Sequence, residues 1–476
     1  MAQPSLKVIT GQEPGDSAEQ ALYEVRQKIY PRAVRGWFAA WRWALVWATQ
    51  LVFYGGAWLS WNGRQALLFD IAHRKFYIFG LVFWPQDIIY LTVLLVISAL
   101  SLFLFTAIAG RLWCGYACPQ TVYTEIFMWV EKLIEGDRAK RIRLDRSELN
   151  LGKFLRKSAK HAVWIAISLW TGFTFVGYFT PIGGLWHEVW DGSTGPWATF
   201  WILFYGFATY GNAGWMREQV CKYMCPYARF QSAMFDPDTL IITYDPARGE
   251  PRGSRARKLD YKARGLGDCV DCGVCVQVCP TGIDIRNGLQ YECIGCAACI
   301  DGCNQVMDKM GYARGLIRYS TEHALQRNLS RAQMFRRVLR PRSLIYLAIL
   351  AGIVVAAGVS LALRVPLKVD VIRDRTAIAR EVGDGEIENV YRLQIINTTE
   401  KPQRYEIGVE GLKEIHIAGP TEVEVGPASS RELPFKVRVH AEREHLAPGT
   451  HRIEFKVRAL GDESVKVEEK SVFIVR

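Results

Sequence analysis

Eight cysteines between positions 269 and 303 repeat one spacing twice. The first run reads Cys269-Val-Asp-Cys272-Gly-Val-Cys275-Val-Gln-Val-Cys279-Pro280, and the second Cys293-Ile-Gly-Cys296-Ala-Ala-Cys299-Ile-Asp-Gly-Cys303. Each is C-x2-C-x2-C-x3-C. Three closely spaced thiolates wrap one corner of an iron–sulfur cubane, and the fourth reaches away to the other cubane. Crosswise ligation then gives one [4Fe–4S] cluster Cys269, Cys272, Cys275 and Cys303, and a second Cys293, Cys296, Cys299 and Cys279. A pair of zinc knuckles is the competing reading, because C-x2-C is also zinc spacing. Zinc has no need of a third and fourth cysteine in this order, twice over. Gly273, Gly295, Ala297 and Ala298 are small and leave room for the cube. Asn304 stands where the second run would carry a proline, so the second turn is expected to differ locally. Asp271 and Asp284 read as solvated charges.

The remaining four cysteines form a second constellation. Trp113-Cys114-Gly-Tyr-Ala-Cys118-Pro119 and Val220-Cys221-Lys-Tyr-Met-Cys225-Pro226 share the pattern C-x-Y-x-C-P, each after a pair of apolar segments. The repeat predicts four thiols gathered at one membrane face. If helical, cysteines four apart share one helix face. Soft thiolates suit Cu(I), zinc or iron–sulfur, so Cys114, Cys118, Cys221 and Cys225 are candidate copper or redox thiols. Small buried residues inherited through a duplication are the alternative. Met128, Met216, Met224 and Met234 lie nearby and are assigned no site.

These residues need elements to position them. Half of the 476 residues are hydrophobic, and apolar runs over 37–57, 86–109, 161–180, 197–215 and 343–363 each approach the length that crosses a bilayer. Arg42 is placed to snorkel. The aromatic stretch Lys75–Pro85 is too short for a span and is expected at the interface. The net charge of +12 concentrates in 111–160 and 216–342, which fits the positive-inside rule better than nucleic-acid binding. Those segments and the N-terminus are therefore expected in the cytoplasm, with 364–476 in the periplasm of an inner-membrane, multi-pass protein. The expected domains are a flexible cytoplasmic N-terminus (1–36), a four-span core (37–235), a ferredoxin-like domain (236–342), a fifth helix (343–363) and a C-terminal domain (364–476).

Residues 365–476 hold seven short alternating segments with turn signals between them, from Lys368–Arg373 to Val465–Ile474. This pattern predicts an immunoglobulin-like β-sandwich. The fold class is thus a multidomain membrane protein: an α-helical bundle of about five spans, a bacterial-type two-cluster ferredoxin domain and an all-β sandwich. Paired intramembrane histidines, C-x-x-C-H and G-x-G-x-x-G are all missing, so haem, flavin and nicotinamide binding have no support.

The chain resembles the cytochrome c oxidase accessory protein family (CcoG, FixG or RdxA). The resemblance rests on both cysteine quartets, both C-x-Y-x-C-P elements, Arg74–Gly80, Phe83-Trp-Pro-Gln-Asp87 and the run Asp236–Arg252. It implies a role in maturing a cbb-type haem–copper oxidase by reducing Cu(II) to Cu(I). Implied partners are the membrane, copper ions or copper chaperones, oxidase subunits or assembly factors, and an electron donor that the sequence does not name. A quinol-dehydrogenase-type conduit and a non-enzymatic assembly scaffold are the alternatives.

Overall fold

The computed structural model describes residues 28–257, 260–374, 379–440 and 447–475. Residues 1–27, most of the expected flexible N-terminus, lie outside the described residues. The chain forms two compact units. One contains the described residues through Trp58 together with Leu94–Ile353; the other contains Leu59–Val93 and the described residues from Val354 onward. The division falls within the helices Ile88–Ala109 and Pro341–Ala362.

Pro85–Ala109 and Pro341–Ala362 are the two stretches, among the described residues, that are helical, long and apolar enough to cross a membrane. A helix satisfies every backbone donor internally, which an apolar segment needs where water is scarce. The other three apolar runs are also helical, with different bounds. Trp37–Gly56 carries Arg42, which does not snorkel: its side chain is buried and pairs with Glu125 at 3.7 Å. Leu151–Val176 begins ten residues before the expected His161. Lys157 and Lys160 in that early part each reach Glu135 at 3.0 Å. Pro196–Thr209 continues as a wider π-helical turn, Tyr210–Met216. These last two helices pack closely through Gly172, where a Cβ would lie 2.2 Å from the carbonyl oxygen of Ile202.

The cluster segment folds in the same unit as these helices. Strands Ile241–Tyr244 and Ile317–Ser320 pair antiparallel, and bracket the short helix Val274–Gln277 and the longer Ala298–Met310. Ile242, Val278, Ile285, Ile294, Ile300, Met307 and Leu316 form a core with the cysteines. Residues 28–36, expected to be flexible, are instead tied down. The Arg32 amide donates to the Gln277 carbonyl (2.7 Å) and the Ala33 amide to Asp137 (3.0 Å).

In the second unit all seven expected strands are present, as Leu367–Arg373, Glu386–Asn397, Gln403–Glu410, Glu422–Val425, Ser429–His440, Gly449–Ala459 and Asp462–Val475. Two short ones, Arg380–Val382 and His416–Ile417, join them. They make two antiparallel sheets enclosing Tyr391, Leu393, Ile395, Tyr405, Phe435, Phe455 and Phe473. Alternation along each strand sends every second side chain into this core. The aromatic stretch before Pro85 is not a loop. It forms a three-stranded meander, Leu67–Asp70, Lys75–Ile78 and Leu81–Phe83, with Val82 and Trp84 packed on Ile396 of the sandwich. Asp87, nearly buried, pairs with Arg364 at 2.7 Å and with Lys368.

Candidate functional site

The two cysteine runs adopt the same backbone. Asp271 and Gly273 in the first, and Gly295 and Ala297 in the second, all have positive φ. These are equivalent positions, one before and one after the second cysteine of each run. Left-handed backbone there turns successive amides toward a common centre, a geometry suited to an anionic cluster. Glycine takes it freely; Asp271 and Ala297 hold it at a cost.

Two adjoining cavities lie between the runs. Cys269, Cys272, Cys275 and Cys303 line one, with Tyr244, Met307 and Leu316. Cys279, Cys293, Cys296 and Cys299 line the other, with Ile242, Ile283, Ile285 and Ile294. Cys275 borders both. The apolar walls exclude water, and burial pushes the Cys275 thiol up to about 11 and the Cys293 and Cys303 thiols up to about 12. Cysteine binds iron as thiolate, so loading such a site releases protons. Four thiols around an apolar hollow, with amides turned inward, fit a cubane in each cavity.

The second run leaves its cavity differently from the first. Cys279-Pro280 ends a four-residue helix, whereas Cys303 lies inside the helix Ala298–Met310. A proline at 304 would break that helix; Asn304 continues it, and its Oδ1 accepts the Gly315 amide at 3.0 Å. Asp271 and Asp284 are not simply solvated. Both pair with Arg286, Asp284 at 2.6 Å, and so brace the loop beside the first cavity.

The C-x-Y-x-C-P cysteines do not share a helix face. Cys114 lies in a one-turn helix, Leu112–Tyr116, and Cys118 is the extended cap preceding the helix Pro119–Glu135. Cys221 lies in the π-helical turn Val220–Met224, and Cys225 caps Pro226–Met234. Proline disfavours helix in the residue before it, and suits the first helical position. The C-P dipeptide therefore makes the same break twice. Burial raises the Cys114 thiol to about 11 and the Cys221 thiol to about 12, and mutual repulsion with neighbouring thiols adds to the latter. The Gln231 side chain, fully buried, hydrogen-bonds Cys114 at 3.4 Å. Among the described residues no three His, Cys, Asp or Glu side chains stand close enough to share a single metal ion.

Sequence reasoning missed what joins the two constellations. Gly115, between Cys114 and Cys118, packs on the second run: a Cβ there would lie 2.8 Å from the Cα and N of Cys296 and from the carbonyl carbon of Gly295. Gly295 in turn meets the Arg111 carbonyl oxygen at 2.9 Å from its own virtual Cβ. The buried Arg111 guanidinium donates to the carbonyls of Tyr291 and Ala228. Asp301, in the cluster-bearing helix, is buried and accepts the Ala39 amide at 2.7 Å, capping the helix Trp37–Gly56. Glycine at 115 and an acid at 301 gave no signal in the sequence, because their partners are 180 or more residues away.

Comparison with known proteins places this architecture. Residues 216–322 match the family described as "4Fe-4S dicluster domain", and residues 91–136 match "4Fe-4S binding domain". Residues 357–476 match "IG-like fold at C-terminal of FixG". The nitrogen fixation protein FixG of Rhizobium meliloti is 37% identical over 480 residues, covering 92% of each chain. The chain belongs to the FixG/RdxA family. Protein RdxA of Cereibacter sphaeroides is 40% identical over 400 residues, covering 82% of this chain and 84% of that one. Protein RdxB of the same organism is 39% identical, covering 83% and 84%. The crystal structure of a FixG-related protein from Vibrio parahaemolyticus is similar over 23% of this chain and 97% of that one, at 29% identity and a TM-score of 0.21. This FixG/RdxA protein carries two [4Fe–4S] clusters and is an iron–sulfur electron-transfer protein with an immunoglobulin-like C-terminal fold.

Proposed function

We propose that this FixG/RdxA protein is a membrane-bound oxidoreductase that reduces Cu(II) to Cu(I) for assembly of a cbb-type haem–copper oxidase. In this reading Cys269, Cys272, Cys275 and Cys303 hold one cubane, and Cys279, Cys293, Cys296 and Cys299 the other. When bound, each cubane handles one electron at a time, the stoichiometry by which Cu(II) becomes Cu(I). Cys114, Cys118, Cys221 and Cys225 offer copper soft sulfur ligands, which favour the cuprous product.

The packing of Gly115 on Gly295–Cys296 carries the reading. It sets the Cys114–Cys118 element in van der Waals contact with the loop that holds a cluster cysteine. Burial keeps the bare Cys114 and Cys221 thiols protonated at neutral pH, so a metal ion that binds them must displace protons.

The chain has five spans in this reading, 37–57, 86–109, 161–180, 197–215 and 343–363. Exposed Trp47, Leu51, Ile165, Leu169, Phe204 and Phe207 on the other three helices support it. Basic residues keep the clusters on the cytoplasmic side, and the sandwich is periplasmic, where it meets oxidase subunits or assembly factors.

The test is anaerobic. Dithionite-reduced protein, freed of excess reductant, is mixed with Cu(II) and a Cu(I)-specific chelator. Wild type should form the Cu(I) complex. A variant with alanine at 114, 118, 221 and 225 should retain its iron but lose the reaction; unchanged turnover in that variant would remove these thiols from the mechanism.

A further inference from the structure

A cavity of about 1060 Å³ opens beside the cluster-bearing fold. Its volume is at the upper end for small-molecule sites, roughly 300–1,000 Å³. Trp41 and Leu45 of the helix Trp37–Gly56 and Phe105 of the helix Ile88–Ala109 give it apolar lining. Trp37 and Trp41, both lining residues, are 70% and 50% exposed, so part of that lining is an exposed apolar surface.

Polar lining comes from Tyr116, Asn304, Arg314, Arg318, Tyr319 and Arg331; Arg314 pairs with Asp308 at 2.7 Å and Arg318 with Asp245 at 3.0 Å. The hydroxyls of Tyr116 and Tyr319 are 3.4 Å apart, and Tyr319 donates to the Gly295 carbonyl at 2.6 Å. Ile300 and Asn304 also line the cavity. Ile300 follows Cys299 and Asn304 follows Cys303, so the lining includes the sequence neighbour of one cysteine of each quartet.

A bare hydrocarbon would leave the two phenols without a ligand oxygen. A small polar donor would use the phenols and leave the apolar lining to water. A flat ring bearing oxygens, with a long apolar tail, satisfies both kinds of lining. We propose that this cavity binds a lipid-soluble quinone, its ring oxygens at Tyr116 and Tyr319 and its tail along Trp41, Leu45 and Phe105. The proposal rests on the electron-transfer reading above and adds to it the chemical class of the electron donor: the reduced quinol, which becomes the quinone by giving up two electrons, one to each cluster, and two protons to water.

The test is binding, read without turnover. Full-length protein with its clusters in place is set in phosphatidylcholine nanodiscs and photolabelled with an azido-ubiquinone analogue. Label is expected on peptides spanning Trp37–Leu45 and Leu112–Ala117, and excess unlabelled ubiquinone should displace it. Leu45→Trp, which crowds the apolar lining, should weaken labelling about tenfold, equivalent to ~1.4 kcal/mol. Tyr319→Phe, which removes a hydroxyl and little volume, should weaken it less. Iron content and visible absorption confirm that each variant is folded; should Leu45→Trp lose its clusters, Tyr319→Phe decides alone. Label elsewhere, label indifferent to both variants, or equal displacement by added phospholipid would overturn the proposal, the last identifying a lipid seat. If quinone fails to label while dithionite-reduced protein still converts Cu(II), this inference alone falls. If quinone labels as expected and Cu(II) is untouched, the site stands and the copper reading falls.

Discussion

Replacing Gly115 by alanine tests the contact that joins the two cysteine constellations. In an open helical site this change is favourable by roughly 0.5–1 kcal/mol, because alanine has less backbone freedom to lose. At Gly115 the new methyl would lie 2.8 Å from three backbone atoms of Gly295 and Cys296, which cannot swing aside as a flexible side chain would. Overpacking of this kind costs about 1–3 kcal/mol, so the sign reverses. Gly184 is the matched control: it lies in the helix Ile182–Asp191, and a Cβ there meets nothing within 4 Å. Thermal unfolding of detergent-solubilised protein should show Gly115→Ala below wild type, and Gly184→Ala level with it or above. The EPR signal of reduced protein should change for the cluster nearer Cys296 and stay constant for the other. If Gly115→Ala behaves as the control in both measurements, the two elements are not in contact and the proposed electron route loses its basis.

Further predictions concern other joints. Asp301→Ala removes the cap on the helix Trp37–Gly56 and should lower stability by about 1 kcal/mol, with faster hydrogen exchange at Phe38 and Ala39 as the local signature. Asp87→Ala leaves Arg364 and Lys368 without their shared carboxylate and should cost ~2–3 kcal/mol, somewhat under a fully buried pair because Lys368 keeps some exposure; hydrogen exchange across Leu367–Arg373 would report it. In the sandwich, burial raises the Glu388 carboxyl, but hydrogen bonds from Arg438 and Arg380 outweigh it and leave the group below the usual glutamate range. A depressed acid stabilises the fold above its unfolded pKa of about 4.3, and that contribution drains away as pH falls below it toward the folded value. Acid unfolding of wild type should therefore be steeper than that of Glu388→Gln, which should be less stable at neutral pH. Ala substitution of Cys269 and Cys293 together should remove most bound iron, measured by metal analysis on anaerobic material.

Much of the site was legible because its information is local. Cluster ligands must sit at short fixed spacings, so eight cysteines announced themselves and their crosswise order. The sandwich was legible for a similar reason: alternation with period two reports a half-buried strand wherever it occurs. Proline before a helix was equally visible, and the break it makes between Cys114 and Cys118 removes the condition under which the two would share a helix face.

Burial was less legible than spacing. Arg42 in an apolar run looked bound for water, but Glu125 on another helix gives it a buried partner. The aromatic stretch before Pro85 looked like a loop, yet it forms strands and its Trp84 is covered by Ile396, more than 300 residues on. The chain alone specified which cysteines are candidates to hold iron and which stretches are apolar, since both follow from chemistry within a few positions. Tertiary structure alone decided that Gly115 touches Cys296, that Asp301 caps a distant helix and that two tyrosines meet over a cavity. Such contacts depend on close packing between segments far apart in sequence, and no local pattern encodes the distance between them.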